Sequence, residues 1–145
     1  MQTFLLHTEA SWIDAALLLG RVFIGICFVV HALGKLGLVG KGNMAGFTGW
    51  LKSLGVPFAE AQARLAMANE LIGGSLVAVG LFTRVGALLC LLTMVVAASI
   101  GHRGGGYLIT NTPPGNEYTI NLGVVMLMFL LMGPGAYSLD AWIFG

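Results

Sequence analysis

Four long apolar stretches, with ionisable residues set near their ends, limit what this chain can become. Residues 85–101 (VGALLCLLTMVVAASIG) and 118–133 (YTINLGVVMLMFLLMG) carry no charged residue. Residues 65–82 hold one, Glu70, and residues 13–33 hold Asp14 and Arg21, with His31 titratable. A helix rises about 1.5 Å per residue, so about 20 residues cross a hydrocarbon core of about 30 Å. Only 9% of the 145 residues are charged, where a soluble domain carries about 25%. The pattern predicts an all-α membrane protein, a single domain over residues 1–145. It would be a four-transmembrane-helix bundle with spans at about 13–34, 63–82, 84–102 and 117–133. The first apolar run is too long for a cleaved signal peptide, and no basic segment precedes it, so it is expected to be retained.

An even number of crossings puts both termini on one side and the loops 34–62 and 102–117 on the other. The loop side carries Lys35, Lys41, Lys52, Arg64 and Arg103, whereas the terminal side has Arg84. Basic residues stay cytoplasmic, so the loops are expected there. Trp12 and Trp142 fall where an interfacial aromatic belt would lie. In the first loop Phe47, Trp50, Leu51 and Leu54 share one helical face, with Asn43 as a cap and Gly55 and Pro57 as a stop. This reads as an amphipathic interfacial helix, either an anchor or a lid on the bundle mouth. The second loop (HRGGGYLITNTPPGN) reads as a cover over the bundle or a turn-rich connection. Its glycines lack the following Lys-Ser/Thr of a phosphate loop. Cys27 and Cys90 form no CxxC pair and read as small apolar packers. Ala16-xxx-Gly20 and Gly74-xxx-Ala78 allow close helix approach. No basic run suited to nucleic acid is present.

The polar residues converge. His31 closes the first span, Glu70 lies a few residues into the second, His102 closes the third and Glu117 opens the fourth. Chain reversal at each crossing brings all four near one face of the bundle. Ionisable groups in or beside hydrocarbon are costly and so mark candidate sites. His31 and His102 can carry a proton near neutral pH, and Glu70 and Glu117 can take it up or deliver it. These four are the catalytic candidates. Arg21, His31 and Glu70 are ligand-binding candidates as well. Arg21 and Glu70 each lie about two turns into their spans from opposite ends, and an Arg21–Glu70 pair is expected, as structural clamp or functional pair. Arg84 and Asp140 are expected to form a structural ion pair at the terminal interface. Two His and two Glu are the donors of carboxylate-bridged metal bundles, but the Glu-x-x-His spacing is missing, so no metal is expected.

The string Arg21-xxx-Gly25-xx-Phe28-xx-His31-xx-Gly34-Lys35-Leu36 resembles the first helix of the DoxX family of small bacterial membrane proteins. Glu70-xx-Gly73-Gly74, Gly80-Leu81-xx-Arg84, Gly115-x-Glu117-Tyr118 and Gly133-Pro134-Gly135-x-Tyr137-Ser138-Leu139-Asp140 resemble the rest of it, in order. One departure is His31-Ala32, where the family usually has His-Gly. The resemblance implies a four-helix protein of the bacterial cytoplasmic (inner) membrane tied to redox chemistry. The family is named from a thiosulfate:quinone oxidoreductase, whose membrane subunit hands electrons to quinone. Other members accompany detoxifying oxidoreductases. Lys35 and Tyr118, which stand in these motifs, join the ligand-binding candidates.

Three functions follow as expectations. The first is a membrane redox subunit binding a quinone-like ligand in the His/Glu/Arg pocket. No flavin or dinucleotide fingerprint is visible, so a protein partner would supply the electrons. The second is a non-enzymatic partner or scaffold for an oxidoreductase, its polar cluster only fixing helix register. The third is a small-solute carrier, for which several copies of so thin a bundle would have to assemble. No inverted repeat supports this last reading.

Overall fold

A computed structural model describes the backbone of residues 2–145 and the side chains of residues 11–145. All regular structure among the described residues is helical. The order is α1 (Gln2–Leu36), α2 (Met44–Ser53), α3 (Ala59–Val79), α4 (Thr83–Val96) running into a π-helical turn (Ala97–Gly101), α5 (Glu117–Met132) and α6 (Leu139–Phe144).

Small residues decide how these helices meet. A Cβ added to Gly25 of α1 would lie 2.6 Å from the Gly74 carbonyl oxygen and from the Ala78 nitrogen. One added to Gly73 of α3 would lie 2.8 Å from the Gly86 carbonyl oxygen and from Cys90 Sγ. The neighbouring glycines Gly73 and Gly74 therefore bring α3 into backbone contact with α4 on one side and α1 on the other, a device helices use where no hydrophobic force drives them together. The fourth side closes through longer side chains. The Phe129 ring of α5 reaches Gly20, and the rings of His31 and Tyr118 are 5.2 Å apart. Contacts run in opposite directions along neighbouring helices: Gly20 of α1 meets Phe129 of α5 whereas His31 meets Tyr118, and Gly73 of α3 meets Gly86 of α4 whereas Asn69 meets Thr93. The four long helices thus alternate in direction, as an up-and-down bundle requires. Phe28, Val77, Ala87, Cys90, Met94, Leu122, Met126 and Phe129 fill the core. Cys27 and Cys90 are free thiols.

The outer faces are also apolar. Leu19, Phe23 and Ile26 of α1, Leu65 and Ile72 of α3, Leu92 and Val95 of α4, and Val124, Met128 and Leu131 of α5 are each more than half exposed. An apolar helix is either buried in protein or immersed in lipid. Most of this surface is not buried within the protein. Ser11–Leu36, of 26 residues, and Thr83–Gly101, of 19, are long and apolar enough to cross a bilayer.

The terminal end is sealed by polar contacts that the sequence reading placed differently. Asp140 does not pair with Arg84. Its carboxylate accepts from the amides of Phe82 at 2.6 Å and Thr83 at 3.0 Å, while its own amide donates to the Gly80 carbonyl at 2.7 Å. A carboxylate satisfies the orphan amides of a helix start and its positive dipole end, and those amides lie closer than the Arg84 head. Arg84 Nη2 instead donates to the Leu131 carbonyl at 3.4 Å. Asp14 Oδ1 accepts from the Ala136 amide at 2.8 Å, tying α1 to the same end.

The glycine contacts generate a test. Overpacking a tight site costs about 1–3 kcal/mol. Gly25→Ala and Gly74→Ala should lower thermal stability in detergent by that much. Gly49→Ala on α2 meets nothing within 4 Å, and should be neutral or raise stability by up to about 1 kcal/mol through helix propensity.

Candidate functional site

Away from the glycine contact the bundle opens toward the loops and encloses a cavity of ≈ 530 Å³. Small-molecule sites occupy about 300–1,000 Å³. α1 supplies His31 and Lys35, α3 supplies Asn69 and Glu70, α4 and its π turn supply Thr93 and Gly101, and His102 follows. Tyr118 and Thr119 come from α5, and Phe47, Trp50 and Leu51 from α2.

The central polar contact is an ion pair between Lys35 Nζ and Glu70, whose side chains are 17% and 4% exposed. The helix register explains it. Gly25 faces Gly74 and Ala78, so Glu70, one turn before Gly74, lies level with the His31–Lys35 turn. The expected Arg21–Glu70 pair does not form for the same reason. Ten residues of α1 separate Arg21 from His31, about 15 Å of rise and beyond an arginine's reach. Arg21 is 2% exposed and donates to the Ala78 carbonyl at 2.9 Å and to the Tyr137 carbonyl, stapling the ends of α3 and the 133–138 turn. It stands apart from the cavity.

His31, Glu70, His102, Lys35 and Tyr118 all line the cavity, as candidates of the sequence reading. Glu117 does not. Its Oε2 accepts from the Ile109 amide at 3.1 Å, which pins the 102–116 loop to the start of α5. A carboxylate at an N-terminus is drawn to loop amides rather than inward. His102 Nδ1 lies 3.2 Å from the Pro114 carbonyl. Among the described residues no group of three His, Cys, Asp or Glu side chains is arranged to hold a metal ion.

α2 roofs the site. Asn43 Oδ1 caps it by accepting from the Gly46 amide at 2.7 Å. Phe47 and Trp50 stack, with centroids 5.9 Å apart, and Lys35 Nζ lies 5.1 Å from the Phe47 centroid. The Trp50 ring packs on Gly101, where a Cβ would come within 2.7 Å of it. Lys52 Nζ and Glu60 Oε1, 3.0 Å apart, link α2 to the start of α3. That hydrogen bond and the lysine charge hold the Glu60 carboxyl below the usual carboxylate range.

Sequence reasoning passed over Asn69, Thr93, Thr119 and the π turn. Asn69 Nδ2 reaches Thr93 Oγ1 at 3.4 Å and Thr93 donates to the Leu89 carbonyl at 3.0 Å. Each is a polar residue in an apolar run, a signal present but softer than a charge. The π turn has no sequence mark, although such bulges recur at functional sites.

A helical bundle with apolar outer faces and, at its loop end, a cavity lined by a buried ion pair is thus defined. The chain belongs to the DoxX family, whose profile matches residues 16–103. It is also similar to the Inner membrane protein YphA of Escherichia coli (strain K12), with 28% identity over 132 residues, 86% of this chain and 87% of that one. No solved structure matches.

The buried pair gives a second prediction. Removing one partner of a buried pair costs about 3–5 kcal/mol, whereas replacing both by apolar residues can be neutral. Lys35→Met and Glu70→Leu should each lower unfolding stability in detergent by about that amount, and the double variant should recover most of the loss, read as a double-mutant cycle.

Proposed function

We propose that this protein spans the bacterial inner membrane four times and serves as the membrane subunit of a redox system, binding a quinone headgroup in its loop-end cavity. The observation that carries the reading is the convergence of Lys35, Glu70, His31 and Tyr118 at a largely apolar cavity of ≈ 530 Å³. The residues suit the group. A quinone head presents two carbonyl acceptors in a flat apolar ring, and this cavity offers an ammonium, an imidazole and a phenol as donors between hydrophobic walls.

Quinone supplies the redox chemistry, taking two electrons and two protons to become quinol. The protein's own residues bind and handle protons. Lys35 Nζ donates to one carbonyl oxygen and stabilises negative charge as it develops there. His31 donates at the site and can exchange its proton near neutral pH. Glu70 holds Lys35 in place and serves as the proton relay next to it. Electrons would come from a partner oxidoreductase, since neither flavin nor dinucleotide fingerprint is present in the chain.

The exposed apolar faces of α1, α3, α4 and α5 support four spans, and the name of the Escherichia coli relative supports the inner membrane. Lys41, Lys52, Arg64 and Arg103 lie toward the loop end and favour its cytoplasmic placement. A second reading, a non-enzymatic partner of an oxidoreductase, draws on the Lys35–Glu70 pair, whose charges already satisfy one another.

Titration of the purified protein with decylubiquinone, followed by thermal stability, separates the two. Saturable stabilisation is expected. His31→Ala and Tyr118→Phe should weaken it roughly tenfold, the worth of about one hydrogen bond, with folding intact. No shift at any concentration would sink the quinone reading and leave the partner role. For topology, Ser53→Cys in a Cys27→Ala/Cys90→Ala background should react with a membrane-impermeant maleimide only when the cytoplasmic face is opened. Labelling from outside intact spheroplasts would reverse the orientation.

A further inference from the structure

The cavity has two ends of different chemistry. Its inner end holds Lys35, Glu70 and Tyr118, with the exposed His31 at its edge. Its outer end is framed by Leu65 on α3 and by Leu92, Val96 and Ile100 on α4 and the π turn. These four are exposed by 60%, 51%, 50% and 36% respectively, so they line the cavity and face the outside at once.

Helix geometry produces this opening. α3 and α4 meet backbone to backbone at Gly73 and Gly86. One turn nearer the loops the contact has loosened to the 3.4 Å Asn69–Thr93 hydrogen bond. Beyond that α4 leaves the regular ladder at Ala97–Gly101, and the two helices no longer seal. On the loop side the gap is roofed by Trp50, seated on Gly101. It stays open sideways, on the same exposed apolar surface as Ile72 and Val95.

The geometry points to a lateral portal between α3 and α4, through which a long-chain amphiphile enters the cavity directly from the bilayer. The head would rest on Lys35 and Glu70, and the apolar tail would trail out over Leu65, Leu92 and Ile100 into lipid. This rests on the quinone reading and adds the route and the ligand class: a membrane-resident quinone with an apolar chain, not a water-soluble one. The energetics are consistent. The tail exchanges lipid contacts for equally apolar side chains at little cost, so only the head must lose polar solvent, and the cavity's donors replace it. On the loop side a groove lined by Gly34, Lys41, Gly42 and Asn43 also reaches His31 and Lys35, a more polar route than the gap between α3 and α4.

Photolabelling in lipid nanodiscs tests the route, with a decylubiquinone analogue carrying a diazirine at the tail end. Binding is read independently, as quenching of Trp50 fluorescence in a Trp12→Phe/Trp142→Phe protein. The expected result is quenching, with label in residues 62–66 and 92–100 that is lost when excess decylubiquinone competes. Quenching with competed label on residues 39–56 or 103–116 instead would overturn the portal and leave the headgroup site standing. No quenching and no competed label would overturn the quinone reading and the portal with it.

Discussion

The double contact of Gly73 and Gly74 is the constraint on which the rest of this structure depends. One glycine faces α4 and the next faces α1, at separations that leave no room for a Cβ on either. Within hydrocarbon, helices gain little from burying apolar side chains against each other, because lipid tails are as apolar as leucine. Close backbone approach, with its many dispersion contacts, is what holds three helices around this point. Every other axial relation follows from it. Glu70 lies one turn from Gly74 and so meets Lys35, and Arg21 lies one turn before Gly25 and so meets the end of α3.

That pivot divides the bundle into two ends built on opposite principles. Toward the termini most polar groups are bonded internally, with Arg21 Nε and Thr83 Oγ1 buried and unbonded. Arg21 is spent on carbonyls, Asp140 on the α4 amides and Asp14 on Ala136. Such bonds close gaps and leave little able to turn toward a ligand. Toward the loops the helices diverge, the π turn widens one wall, and charged and aromatic groups face a space instead of each other's backbones. A cavity with unspent hydrogen-bonding capacity is the arrangement that binds, so position along the bundle axis already separates the staple from the site.

Much of this was legible from residue order. Apolar runs gave the helices, and the Asn43 cap and the Phe47–Trp50–Leu51 face gave α2, because local patterning survives into the fold. The loop-end clustering of His31, Glu70 and His102 was legible as well, since an up-and-down chain must return each span to the same level. What was hidden is register. Pairing Arg21 with Glu70 required knowing which residues of α1 and α3 lie level, and the marker for that was Gly25 opposite Gly74, not the charges themselves. Asp140 was assigned to Arg84 by charge, yet free helix amides competed better for the carboxylate. Glu117 was drawn the same way to Ile109. For Arg21 and Asp140 backbone carbonyls and amides lay nearer than the expected opposite charge, and for Glu117 a loop amide lay nearer than the cavity.

The Lys35–Glu70 pair then acquires a meaning beyond stability. A buried pair that only fixed the fold could be exchanged for hydrophobic residues at little loss. Here it stands at the wall of a cavity and beside an imidazole, with Lys35 also held over the Phe47 ring of the roof. The lysine is therefore shared among a carboxylate, an aromatic face and the open space, and a hydrogen-bond acceptor entering that space competes with the first two for its protons. The ammonium group of Lys35 thus links the α3 carboxylate to the α2 roof across the cavity wall.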